Sequence, residues 1–145
     1  MAFRFSLAAV LRVRESIEQR EERALQRIQH EMARVLHQIE DLSAAIAKAH
    51  DAREEALQQP IPAGHLHSLL WEAEAAAERR KALVHTLQAL EQQRDKQMKI
   101  YQAAHRSHET LISMLRGQRN AYELEQARAQ QKYIDDIFMA RRHRS

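Results

Sequence analysis

The sequence contains no cysteine, and its 145 residues include only two glycines and two prolines. Without cysteine there are no disulfides, no thiolate-held metals and no thiol catalysis. Turn formers are nearly as scarce, whereas a compact domain reverses direction about every ten to twenty residues and relies on them. Aromatic residues make up 5% of the chain, too few for a large globular core. No apolar run approaches the roughly 20 residues that cross a bilayer. The opening MAFRFSLAAVLRVRE carries a short apolar patch broken by Arg4 and Arg12. It lacks a sustained apolar stretch and a small-residue cleavage site, so it is not expected to act as a signal peptide. A soluble protein of the cytoplasm is the default expectation.

What remains is mostly Ala, Leu, Glu, Gln, Arg and Lys, the strongest helix formers. Charged residues make up 30% of the chain, and the formal net charge is +3. Residues 1–57 hold nine Lys/Arg against ten Asp/Glu, and residues 58–145 hold fourteen against ten. Much of that excess lies in Arg141, Arg142 and Arg144. Nucleic-acid binding by a helix favours a dense basic stripe. Here the signs alternate, as in Glu15, Glu18, Arg20, Glu21, Glu22 and Arg23, which fits a solvated helix face. No nucleic-acid partner is expected.

The one strong interruption is Gln58-Gln59-Pro60-Ile61-Pro62-Ala63-Gly64. Each proline ring removes a donor and clashes with the preceding turn, which breaks a helix. The pattern therefore predicts an all-α fold, a long antiparallel two-helix coiled-coil hairpin with the second helix longer than the first. The expected bounds are a helix over about 6–57, a turn over about 58–65 and a helix over about 66–142, forming a single domain. Gly117 has no turn cluster around it and is expected to be tolerated inside the second helix, at a cost of about 1 kcal/mol relative to Ala.

Alternating steps of three and four trace the seam. The first arm gives Leu25, Ile28, Met32, Val35, Ile39, Leu42, Ile46, Ala49, Arg53 and Ala56, of which the first eight are apolar. The second gives Leu66, Leu69, Ala73, Ala76, Arg80, Leu83, Leu87, Leu90, Arg94, Gln97, Tyr101, Ala104, His108, Leu111 and Leu115. Its polar positions weaken packing and can fix register. Folding about Ile61-Pro62 pairs residue i with roughly residue 123 − i, over a length of about 75 Å at the helical rise. Residues from about 120 to 142 then have no partner within the chain. Their apolar members Tyr133, Ile134, Ile137 and Phe138 fall along one side of a helix, outside the register of the seam. Such a stripe is either frayed or docked on something, and docking is the expectation. The competing expectation is that Phe3, Phe5 and Leu7 fold onto it, which the register allows only near residues 116–120. Trp71 falls at the outermost heptad position, unless a local slip lays its ring over Leu57 or Ile61. Exposed Trp is enriched at interfaces.

Nine histidines raise the question of metal. Only His105 and His108 share the helical spacing that a pair of ligands needs, and His37 could approach His85 across the seam. No His-Glu-x-x-His and no Glu three residues before a helical His occurs, so neither metal nor cofactor is expected. There is no phosphate-binding loop or nucleophile motif, and Glu21-Glu22 and Glu54-Glu55 point into solvent. The chain is expected not to be an enzyme.

The segment Phe3-Arg4-Phe5-Ser6-Leu7-Ala8-Ala9-Val10-Leu11-Arg12-Val13-Arg14-Glu15 resembles the start of the flagellar export protein FliJ family, with its Phe-x-Phe-x-Leu-x-x-Val-Leu-x-x-Arg pattern. The single central turn, the longer second helix and the basic end agree in kind. The resemblance implies a stalk and adaptor of the flagellar type III export apparatus, similar in fold to the two-helix stalk of the rotary ATPase gamma subunit. It further implies binding to the hexameric export ATPase, to the membrane export-gate protein and to empty export chaperones. Location would be cytoplasmic and peripheral at the inner-membrane export apparatus, in the service of flagellum biogenesis, motility and chemotaxis. By the resemblance, ATPase contacts fall at the end carrying both termini, over residues 3–27 and 112–140. Leu11, Arg12, Arg14, Tyr133, Ile134, Ile137 and Phe138 are the expected residues, and Trp71 is the expected contact with the gate. The free chain is expected to be monomeric. Two alternatives remain at this point, the stalk of a virulence-type secretion system and a generic coiled-coil scaffold or homodimer.

Overall fold

The computed structural model describes residues 2–144. It is all-α, two long helices in extensive contact that form a hairpin. Helix α1 runs Ala8–Leu57 and α2 runs Ala63–Arg144, with 50 and 82 residues. The start of α1 is set by a turn in which Ala8 N–H donates to the Phe5 carbonyl at 3.1 Å. Its end tightens, as Gln58 and Gln59 N–H donate three residues back to Glu55 and Ala56. Pro60 then supplies no donor, and α1 stops. Pro62 opens α2, its carbonyl accepting from His65 and Leu66 N–H at 3.0 and 3.3 Å. The helix therefore begins at Ala63, ahead of the start near 66 expected from the proline pair. A proline at the entrance loses no helical bond, because the first N–H groups have no partner in any helix. Gly117 lies within α2, and an added Cβ there would meet nothing within 4 Å.

The chain divides into two compact units. The first is Glu22–Ile100, which includes the turn. Its buried residues are Leu25, Met32 and Val35, all on α1. Every other position of the first-arm walk is half-buried, and so is every position of the second-arm walk in this unit except Arg80. Arg80 keeps its charge in water and lets Nε donate to the Ser43 hydroxyl at 2.8 Å. Ser43 and Arg80 meet in the i with 123 − i register. A long cationic stem can lie along a seam while its head reaches solvent, which is how an arginine is accommodated there.

The second unit holds the chain up to Glu21 and from Tyr101 onward. No described residue in it is fully buried. Leu7, Leu11 and Ile17 on one side and Tyr101, Ala104, His108, Leu111, Ile112 and Leu115 on the other are half-buried. The Phe3 ring lies 5.5 Å from the Tyr122 ring, tilted by 48°, and the Arg119 guanidinium sits 5.8 Å above Phe3. Aromatic and cation–π contacts of this kind hold the chain start against α2 close to where the register placed it. From Glu123 to Arg144 every residue is exposed.

Candidate functional site

The exposed part of α2 carries the apolar stripe read from the sequence. Tyr133 is 68% exposed and Phe138 66%, with Ile134 and Ile137 also in solvent. Met139 joins them, a residue that the spacing argument passed over. Steps of three and four bring Ile134, Ile137 and Phe138 to one side of the helix. Gln131 Nε2 donates to Asp135 Oδ1 at 3.0 Å, beside the stripe. The last turn holds Arg141, Arg142, His143 and Arg144. Positive charge is favoured there, since the unpaired carbonyls of a helix end carry partial negative charge. The result is an exposed helical end that is apolar on one side and basic at its tip.

The N-terminal residues divide by role. Leu11 is half-buried and helps to hold α1 on α2, whereas Arg12 and Arg14 are exposed. Beside Arg14, the residues Ala9, Val10, Val13 and Ile17 line a shallow groove. Val10 and Val13 are exposed large apolar side chains that the sequence reading did not single out. Their spacing with Ile17, three then four, was the available signal: a second apolar stripe beside the seam. In the unit around the turn, Trp71 is 66% exposed and Leu57 is exposed as well. Trp71 thus faces solvent, as its heptad position predicts.

One polar cluster joins the two helices. His105 Nδ1 donates to Glu18 Oε1 at 2.9 Å, and His108 Nδ1 donates to Glu18 Oε2 at 2.5 Å. An ionised carboxylate only accepts, so both imidazoles place a proton on Nδ1. The hydrogen bond from His105 is the main cause holding the Glu18 carboxyl below its ordinary value, with burial opposing and His108 assisting. The same bond raises His105 above the ordinary imidazole value, against burial and with help from the Glu18 and Glu109 charges. The ring of Tyr101 stacks on His105, with centroids 6.0 Å apart. Glu18 was missed because the first-arm walk began at Leu25. Continued backward it passes through Glu21, Glu18, Arg14, Leu11 and Leu7, and 123 − i for Glu18 is His105.

Elsewhere the histidines make local contacts. His37 Nε2 lies 3.6 Å from Asp41 and His50 Nε2 lies 3.3 Å from Glu54, each one helical turn along. Among the described residues no group of three or more His, Asp or Glu side chains is arranged to hold a metal ion. Nor is any helix among them long and apolar enough to cross a membrane.

A family model described as "Flagellar FliJ protein" matches residues 3–145. No curated protein and no solved structure matches the chain. The match runs through both helices and the turn, well beyond the N-terminal motif that first suggested it. Since the match spans nearly the whole helical hairpin, this chain belongs to the FliJ family of flagellar proteins.

Proposed function

We propose that the chain is a stalk and adaptor of the flagellar type III export apparatus, binding the hexameric export ATPase through the end that carries both termini. The observation that carries this reading is the stretch of α2 from Glu123 to Arg144, helical and exposed at every residue, with an apolar stripe and a basic tip. A helix with no partner in its own chain loses nothing by entering a cavity in another. Exposed Tyr133, Ile134, Ile137 and Phe138 supply the apolar area for burial, and Arg12 and Arg14 supply charge near the base of the same end. The protein catalyses nothing and regulates the ATPase by helping it to assemble and act. Export chaperones and the export gate are its other partners, with Trp71 as the gate contact. The free chain is a cytoplasmic monomer that becomes peripheral to the inner membrane when docked. The matched family is described as flagellar, which favours this reading over the stalk of a virulence-type system.

Co-purification with the hexameric export ATPase tests the N-terminal half of this surface. Arg12→Glu with Arg14→Glu reverses two exposed charges and removes no buried apolar side chain, so helix content is expected to stay as in the parent and is measured alongside. Capture of the ATPase should fall severalfold and recover little in low salt, since the new charges repel where the old ones attracted. Equal capture by parent and variant removes Arg12 and Arg14 from the surface. For the gate, Trp71→Ala should weaken binding of the gate's cytoplasmic part about thirtyfold, the scale of an aromatic anchor worth about 2 kcal/mol. ATPase capture should not change. Loss of both together would mean that Trp71 supports the fold and not one partner.

A further inference from the structure

We propose that Glu18, His105 and His108 form a proton-sensitive clasp that fastens the first turns of α1 to α2, tight in weakly acid solution and looser in alkaline solution. The inference concerns the chain alone and does not depend on the identity of any partner. Three observations carry it. The cluster joins two helices, since Glu18 belongs to α1 and both histidines to α2. Glu18 and His108 occupy seam positions, where an apolar pair would otherwise pack, and their side chains are only 15% and 16% exposed, while His105 reaches Glu18 from the exposed edge of the seam. It also lies in the unit whose described residues are at most half-buried, so less apolar burial competes with it in holding α1 down than around Leu25, Met32 and Val35.

A carboxylate drawn partly out of water is stable only if its oxygens are matched by donors. Here each oxygen has its own imidazole N–H. The charged and titratable neighbours are distributed around it. On α1, Arg14 and Glu15 lie one turn before Glu18, and Glu21 and Glu22 one turn after. Glu21 is engaged by Arg20 at 3.2 Å. On α2, Tyr101 stacks on His105, Arg106 follows it, and Glu109 adds a second negative charge that favours the imidazolium. The signs then follow. His105 titrates higher in the folded chain than in the unfolded one, so its contribution is complete below the ordinary imidazole value and is lost as pH rises through the higher folded value. Glu18 titrates lower when folded, so its contribution is present above the ordinary carboxyl value and is lost as pH falls through the lower folded one. Between those limits both partners are charged and the clasp is tightest.

Hydrogen exchange of the intact protein reads the clasp directly, with rates corrected for the intrinsic pH dependence of exchange. Between about pH 6 and about pH 8.5, a span that brackets imidazole titration, opening of amides 8–21 should rise severalfold, while amides 25–50 keep a constant opening. Glu18→Gln and the double change His105→Gln with His108→Gln should each flatten the pH response. Glu18→Leu, which replaces the charge by an apolar seam residue, should keep residues 8–21 closed at both pH values. Proton NMR of the imidazoles supplies a second readout: the His105 titration midpoint should lie above the ordinary value in the parent and return toward it in Glu18→Gln. A flat parent response, or a pH response that survives Glu18→Gln, overturns the clasp. Neither outcome bears on ATPase binding, which is scored separately by co-purification.

Discussion

Deleting the chain after Tyr122 should abolish stable capture of the export ATPase and leave the rest of the hairpin as stable as before. Every residue from Glu123 to Arg144 is exposed, so their removal uncovers no apolar area in what remains. The thermal midpoint of the shortened chain should correspond to a change within about 0.5 kcal/mol, as for surface changes in general. A small loss is expected from the new chain end, whose carboxylate would sit at a helix C-terminus where negative charge is disfavoured. Binding should respond very differently. Two exposed aromatics and two isoleucines leave together, and single aromatic anchors are commonly worth about 2 kcal/mol or more, so at least about a thirtyfold loss is expected. Co-purification and a melting curve on the same two proteins separate the outcomes. Full capture by the shortened chain would falsify the role of this helical end, whatever its stability.

The second large effect is on stability. Leu25→Ala should destabilise the hairpin by about 2–3 kcal/mol, near the lower end of the range for buried leucines because a two-helix seam can close partly around a gap. Leu25 is one of three buried side chains among the described residues, and the register sets it opposite Met98, itself half-buried. The neighbouring second-arm positions are Arg94 and Gln97, both half-buried, whose methylene stems can fill part of the gap but whose polar heads stay toward water. Val13→Ala removes a similar apolar group from an exposed site and should change stability by no more than about 0.5 kcal/mol. Urea unfolding of the two variants beside the parent measures the contrast. Equal midpoints for both would show that the seam at Leu25 does not hold the helices together.

Much of the fold was legible because a coiled coil writes its contacts as spacing. Steps of three and four picked out the buried and half-buried positions from Leu25 to Ala56 apart from Glu31 and Ser43, and one arithmetic rule from the proline pair placed Arg80 beside Ser43. The outward Trp71 was legible for the same reason, since a heptad position fixes a direction as well as a partner. The start of α2 was less so, because a proline that breaks a helix from within also opens one from its entrance. The walk on α2 did not reveal that all three buried residues among those described lie on α1. In the register Val35 and Met32 face the stretch from Leu87 to Leu90, whose side chains cover α1 while staying partly wet themselves.

The polar cluster marks the limit of pattern reading. By spacing, His105 and His108 looked like a candidate ligand pair, and Glu18 looked like one more solvated acid. Their meeting depends on side-chain directions across the seam, which sequence spacing leaves free. The sequence by itself determined a two-helix hairpin, its turn, its register and the length by which α2 outruns α1, because periodicity and proline chemistry act locally. Only the tertiary structure decided which seam residues are most deeply buried, that Phe3 is tied to Arg119 and Tyr122, and that one carboxylate is shared by two imidazoles. Those outcomes depend on rotamers and on which charged group can find a donor when water is pushed aside, and both are settled only when the helices meet.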